Sequence, residues 1–291
     1  MSGPDALFSL RNSFQLGAYQ AAINESAVGG LSEAESVERD AIVYRSYIAL
    51  GSYQLVIDEI SDSAATALQA VKLLATYLKD PAANKDGVVA SLEGYLSDPV
   101  IGKNATLLLV AGTVYACEHN YVDALKATHA IAGNLELMAL NVQVFLKMDR
   151  VDYAEKQLKA MQAADEDATL TQLANAWVCL AMGGAKVVEA TYIFQELADK
   201  FTPTVALLNG SALSQMHQGN FDDAEALLLD ALNKDAKDAN TLANLVVCSL
   251  HRGKPATRYL NQLRAVAPDH ILAQRQITSE AAFDQAVAAY A

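Results

Sequence analysis

Apolar positions along this chain recur at helical spacing, and the helical segments that they mark repeat in turn. Gly17-Ala-Tyr19-Gln20 and Gly51-Ser-Tyr53-Gln54 are 34 residues apart, and the apolar positions that follow them stay in phase. Ala190, Ala224 and Arg258 share the same spacing. A fixed period of this length indicates a chain built from stacked copies of one small helical unit.

Each unit is predicted to be a pair of antiparallel helices. A glycine or polar residue forms the turn, an aromatic residue two positions later fills the gap between the helices, and an alanine three positions further lets their backbones approach. Gly219, Phe221 and Ala224 supply these features in one unit. The 34-residue period is that of tetratricopeptide repeats. The predicted fold class is therefore all-α, a tetratricopeptide-repeat superhelix (α-solenoid) of antiparallel helix pairs with a C-terminal capping helix.

The repeats divide residues 1–291, taken as a single solenoid, into four stretches. We predict N-terminal repeats in residues 1–60, a degenerate helix pair in 61–104, the main array in 105–270 and the capping helix in 271–291. A solenoid needs such a cap because its last unit would otherwise expose an apolar face.

The degenerate pair departs most from the repeat pattern. An apolar-periodic helix is predicted over residues 64–78 and a shorter one over 88–96, with Asp80-Pro81, Gly87 and Asp98-Pro99 as their boundaries. In the main array the spacing shortens after His119, which predicts a short second helix there.

Composition and charge narrow the classes of partner. Hydrophobic residues make up 52% of the chain, and 34 acidic side chains outnumber 21 basic ones, for a formal net charge of −13. This charge disfavours binding to nucleic acid or to an anionic membrane surface and leaves other proteins as the expected partners. The N-terminus lacks the pattern of a signal peptide, and the longest apolar run is too short to span a bilayer. We therefore expect a cytoplasmic protein.

The sequence offers little chemistry for catalysis or metal binding. Cys117, Cys179 and Cys248 are far apart and lie in apolar helical stretches, so each is interpreted as a small buried or half-buried hydrophobe. The five histidines are scattered, and nucleotide-binding, hydrolase and metalloprotease motifs are missing from the sequence. We expect no enzymatic activity and no cofactor.

The inner face of the solenoid is the candidate binding surface. In such arrays the first helix of each pair lines the concave side, and the first helices predicted at 105–117, 135–146, 171–184, 205–218 and 239–250 together carry one charged residue, Glu136. An apolar wall with scattered amides suits an extended or hairpin segment of a partner. The alternative is that these side chains pack against one another in a tight superhelix. The candidate groove residues are Leu109, Thr113, Cys117, Ala139, Gln143, Leu146, Asn175, Cys179, Asn209, Leu213, His217, Val247 and Leu250.

Several stretches resemble a known family. Residues 7–20, Leu-Phe-Ser-Leu-Arg-Asn-Ser-Phe-Gln-Leu-Gly-Ala-Tyr-Gln, are similar to the opening of coatomer epsilon subunits, and residues 165–177, 192–200, 208–210 and 244–247 resemble them too. The resemblance implies a non-catalytic subunit of the COPI vesicle coat. It further implies binding to the C-terminal domain of the coat's alpha subunit, and a role in Golgi-to-endoplasmic-reticulum and intra-Golgi transport on Golgi membranes and coated vesicles.

The sequence departs from the family's pattern at one position, and it also allows one alternative function. Arg258 falls at the small-residue position of the last repeat, so that repeat is expected to pack less regularly. The alternative function is a tetratricopeptide scaffold or co-chaperone that binds a different extended peptide. Co-chaperones that clamp acidic tails need lysine and arginine on their first helices, and those predicted in the main array carry none.

Overall fold

Helices and the turns between them account for all regular structure in residues 5–290, the part of the chain that this computed structural model describes. Within it there are 17 α-helices, one short 3₁₀-helix and no strand. The predicted all-α repeat fold is confirmed. The chain divides into two compact units, the first ending at Met182 and the second beginning at Gly183. The predicted domain limits remain a prediction.

The first unit contains eleven α-helices in chain order. The 3₁₀-helix Ile101–Lys103 lies between the sixth and the seventh. The helices are α1 (Phe8–Gln15), α2 (Tyr19–Asn24), α3 (Glu33–Ala49), α4 (Tyr53–Glu59), α5 (Thr66–Lys79), α6 (Pro81–Ser97), α7 (Ala105–Cys117), α8 (Tyr121–Thr128), α9 (Leu135–Lys147), α10 (Val151–Ala164) and α11 (Thr169–Met182).

The second unit contains six α-helices among its described residues. They are α12 (Lys186–Lys200), α13 (Val205–His217), α14 (Phe221–Lys234), α15 (Ala239–His251), α16 (Thr257–Val266) and α17 (Ile271–Tyr290). The helix α17 lies where the cap was predicted and packs on α15 and α16 near its start, through Leu272 and Ala273. Ala291, the last residue of the predicted cap, lies outside the described residues.

Six of the first helices, all but α5 and α11, end in the same turn. The second residue beyond the helix takes a positive φ. In this conformation the amides of the turn donate hydrogen bonds to carbonyls in the last turn of the helix. Glycine adopts this conformation without a steric penalty, and histidine and aspartate tolerate it better than most side chains. The residues are Gly17, Gly51, His119, Asp149, Gly219 and Gly253. The shared turn is the physical basis of the sequence period.

A small buried residue follows the start of most second helices, as predicted. At this point the two backbones of a pair approach, and a larger side chain would hold them apart. Ala22, Val56, Ala124, Ala154 and Ala224 are fully buried there, and Ala190 is fully buried early in α12. The first helices predicted in the main array are also confirmed, to within two residues at each end.

Two local predictions at helix boundaries are wrong. Gly87 is not a boundary but lies inside α6, which is 17 residues long because Asp80 caps it and Pro81 occupies its first turn. Arg258 does not occupy the small-residue position, since it is exposed while Ala256 and Leu260 are buried. The turn that contains Pro255 delays the start of α16 to Thr257, which moves Leu260 into the position that alanine holds elsewhere.

The interpretation of the cysteines is right for two of the three. Cys179 and Cys248 are buried, but Cys117 is exposed. It is the last residue of α7, and the short α8 begins only at Tyr121. Its position at a helix end therefore leaves the thiol at the surface.

Candidate functional site

A cavity of about 1010 Å³ lies within the first unit. Its helical lining residues come from α1, α3, α5, α7, α9 and α11, which are the first helices of six successive pairs. The expectation that first helices form the inner surface therefore holds in this unit. The lining includes Arg11, Phe14, Ala34, Val37, Arg45, Ala67, Thr106, Leu135, Glu136 and Leu170.

The helices α5, α7, α9 and α11 line the cavity with their first turns, whereas α1 contributes residues from Arg11 onward and α3 contributes residues as far along as Arg45. Asn104 caps α7 by accepting a hydrogen bond from the Leu107 amide at 3.1 Å, and Asn134 caps α9 in the same way through Leu137. Ser32 and Glu35 form a reciprocal capping box at the start of α3. These capping residues fix where each helix begins, and so fix which residues reach the cavity.

Both arginines at the cavity wall are paired with carboxylates. Arg45 donates two hydrogen bonds to the carboxylate of Glu136, at 3.1 and 3.3 Å, and its guanidinium lies 4.5 Å from the centre of the Phe14 ring. Arg11 bonds to Glu38 at 2.6 Å and also pairs with Asp5; the hydrogen bond to Glu38 is the largest cause that raises the pKa of Arg11. Because each arginine already has a carboxylate partner, the wall does not offer an unpaired basic clamp.

The predicted groove residues of the first unit lie further along the same helices than the cavity lining. Leu109 and Ala139 pack into apolar clusters with neighbouring helices. Leu109, Ala139 and Cys179 are buried, Thr113, Leu146 and Asn175 are half-buried, and Cys117 and Gln143 are exposed. The three buried residues contribute to the core, while Cys117 and Gln143 lie at the surface.

In the second unit, as in the first, the predicted groove residues are not all equally exposed. Leu213 and Val247 are half-buried, and His217 and Leu250 are exposed. Asn209 donates from Nδ2 to the Val205 carbonyl and to Oγ1 of Thr241, at 2.9 and 2.7 Å, and its Oδ1 accepts from Asn244. The amide hydrogens of Asn209 thus bond within the unit. Partner contact by the thirteen groove residues remains a prediction.

Sequence reasoning missed most of the cavity lining. Glu136 was singled out as the one charge on the first helices of the main array, but its partner Arg45 was not. These two residues are 91 positions apart, so no local pattern connects them. The available signal was the presence of an arginine on α3 and of a lone acid on the otherwise uncharged first helices of the main array.

Comparison with known proteins decides the family. A sequence model described as the coatomer epsilon subunit matches residues 3–291. The chain is 58% identical to coatomer subunit epsilon-1 of Oryza sativa subsp. japonica over 291 residues, which is 100% of both chains. The chain belongs to the coatomer epsilon subunit family. More distantly, coatomer subunit epsilon of Dictyostelium discoideum is 34% identical, over 96% of this chain and 97% of the relative.

Solved structures support the fold of this epsilon-family chain. A tetratricopeptide repeat protein from Parabacteroides merdae superposes with a TM-score of 0.61 at 13% identity, covering 93% of this chain and 95% of that one. The APC/C hetero-tetramer Cut9-Hcn1 gives a TM-score of 0.63 at 16% identity, over 93% of this chain and 54% of the other. At such identities the likeness bears on the fold alone.

Membership of the epsilon family makes this chain a component of the COPI coat, associated with that coat in the cytoplasm. Separately, a search of the described residues finds no helix with the length and apolar character needed to cross a bilayer.

Proposed function

We propose that this epsilon-family chain is a non-catalytic structural subunit that binds and stabilises the C-terminal domain of the coatomer alpha subunit. In this role it supports retrograde Golgi-to-endoplasmic-reticulum and intra-Golgi transport, and it reaches Golgi membranes and coated vesicles through the coat. The partner segment lies against the first helices, enclosed in the first unit by the cavity and continuing along the exposed groove residues.

The observation that carries the proposal is the cavity, to which six first helices contribute lining residues. Its volume of about 1010 Å³ is large enough for several side chains of a polypeptide segment. The wall combines apolar residues such as Val37, Leu135 and Leu170 with the polar capping residues at the helix starts. Such a surface suits a segment that buries apolar side chains while its backbone meets polar groups.

The charge pairing supports this partner over an acidic tail. Arg11 and Arg45 are the basic residues of the cavity wall, and both already bond to carboxylates of this chain. Binding an acidic tail would require breaking those bonds. The co-chaperone alternative therefore lacks a supporting observation.

Blocking the cavity tests the proposal. Ala34 is exposed on α3 and lines the cavity, so Ala34→Trp should place an indole in the space that the partner segment needs. We expect at least a tenfold loss of affinity for the C-terminal domain of the alpha subunit, about 1.4 kcal/mol or more, in a calorimetric titration. Ala160→Trp is the matched control, because Ala160 is exposed on the second helix α10. Equal affinities of the two variants would place the interface outside the cavity.

A further inference from the structure

The ring of first helices closes at one contact, which we call the seam: α1 and α3 on one side, α9 and the start of α11 on the other. The hydroxyl of Thr169 donates to Oδ1 of Asn12, and Arg45 pairs with Glu136. The bonded residues are 157 and 91 positions apart. The two sides therefore belong to distant parts of the chain and meet only through folding.

Each side of the seam has its own apolar packing. Leu7 and Leu10 pack with Ile42 of α3, together with residues of α2. Val178 of α11 packs with Val142 of α9, together with residues of α10. Each side therefore has apolar packing that does not depend on the hydrogen bond and the ion pair at the seam.

The polar contacts at the seam are of a kind that water can replace. The side chains of Arg45 and Glu136 are 15% and 35% exposed, so the ion pair is partly hydrated already. Nδ2 of Asn12 is buried without a hydrogen-bond partner among the described residues, and opening the seam would let water reach it. Both features lower the free energy of opening at this contact.

We propose that the seam is a gate through which a partner segment without a free end enters the cavity sideways. The segment is an internal loop or hairpin of the alpha subunit's C-terminal domain, so the inference rests on the proposed function. The seam opens, the segment passes between α1 and α11, and the Arg45–Glu136 pair re-forms behind it. Threading along the cavity axis is the competing route and needs no opening.

Cross-linking across the seam distinguishes the two routes. In a Cys117→Ser background, which removes the exposed thiol, Arg45→Cys and Glu136→Cys are joined by a short bismaleimide. The same protein treated with N-ethylmaleimide is the control, since it carries similar bulk without the bridge. The probe is the alpha subunit's C-terminal domain, and its association and dissociation rates are measured by surface plasmon resonance.

We expect the bridge to slow association at least tenfold when it is formed first, and to trap the partner when it is formed in the complex. Association of the bridged protein at the rate of the control would overturn the gate and leave threading. If the control protein does not bind the domain at all, the proposed function itself fails, which is a separate result.

A kinetic variant provides a second test. Thr169→Val removes the hydrogen bond at the seam from a residue outside the cavity lining, and a gate predicts that association and dissociation both become about fivefold faster while Kd changes less than twofold. Thr76→Val is the matched control: Thr76 is half-buried like Thr169, and its hydroxyl bonds within α5 to the Lys72 carbonyl at 2.8 Å, away from the cavity lining. Faster dissociation alone would make Thr169 a contact residue and overturn the gate, as would unchanged rates.

Discussion

Gly112 of α7 lies directly against Thr128 of α8, so closely that a Cβ on Gly112 would be 2.6 Å from Cγ2 of Thr128. Thr128 cannot rotate away without cost, because its hydroxyl bonds to the Ala124 carbonyl at 2.9 Å and to Oδ1 of Asn141. The buried Thr128–Asn141 bond in turn links α8 to α9. One glycine thus sets the distance between two helices of a pair and the position of the next helix.

Gly112→Ala should therefore destabilise the first unit by about 1–3 kcal/mol through overpacking. Chemical unfolding followed by circular dichroism measures the change. Gly94→Ala is the control, since Gly94 lies inside α6 with open space around it, and it should stabilise by up to about 1 kcal/mol. Stabilisation by both substitutions would mean that Thr128 moves freely.

Ala224 tests the repeat phase in the second unit. It is fully buried on α14 with Ala212 and Leu245 in one apolar cluster. Ala224→Leu should lower the unfolding free energy by about 1–3 kcal/mol, because three added carbon atoms force the paired helices apart. Ala226→Leu, two residues along the same helix at an exposed position, should change it by less than about 0.5 kcal/mol. Equal melting temperatures for the two variants would contradict the packing.

Glu118 makes the stability of the first unit depend on pH in the acid range. Its carboxylate pairs with Lys85 and accepts a hydrogen bond from the buried Tyr77 hydroxyl at 2.6 Å. These bonds, that to Lys85 first, hold the pKa of Glu118 below its usual 4.5. The unfolded chain binds the proton more readily, so the stability contributed by Glu118 is full above pH 4.5 and is lost as pH falls through the lower folded-state pKa.

Glu118→Gln should therefore destabilise the protein at neutral pH and much less in acid. Urea unfolding of the parent protein and the variant at about pH 7 and pH 3 gives the two differences in free energy. Glu136→Gln serves as a comparison with another carboxylate of the same unit. A Glu118→Gln difference that is as large at pH 3 as at pH 7 would show that the ionised carboxylate does not hold this contact.

A substitution at Leu250 tests whether the partner contacts the groove outside the cavity. Leu250 is 63% exposed at the end of the first helix α15, so Leu250→Asp should leave the core intact. A substitution at the half-buried Leu146 or Leu213 would also disturb packing, and its effect on binding would be harder to separate from an effect on folding. We expect affinity for the alpha subunit's C-terminal domain to fall at least tenfold, about 1.4 kcal/mol, in a calorimetric titration. Leu229→Asp on the second helix α14, where Leu229 is 38% exposed, should have little effect. The reverse ranking would place the partner on the second helices.

Local physical chemistry determined most of the fold. The turn that ends most first helices requires a positive φ, and its glycines at 17, 51, 219 and 253 are visible in the sequence. The alanine at most of the close approaches is equally local, so helix pairs and their phase could be predicted. The predictions failed where a local signal was ambiguous: Gly87 is a tolerated glycine inside a capped helix, and Pro255 shifted the last pair by delaying α16.

The cavity and its seam were decided by tertiary structure. Small rotations from pair to pair add up over six first helices until α1 meets α11, and no short stretch of sequence encodes that sum. The closure brings Arg45 to Glu136 and Asn12 to Thr169, and it turns the first turns of α5, α7, α9 and α11, rather than their middles, toward the cavity. The sequence by itself determined that first helices form the inner surface, because turn and packing signals are local. Which of their residues face the cavity depended on how tightly the pairs curve.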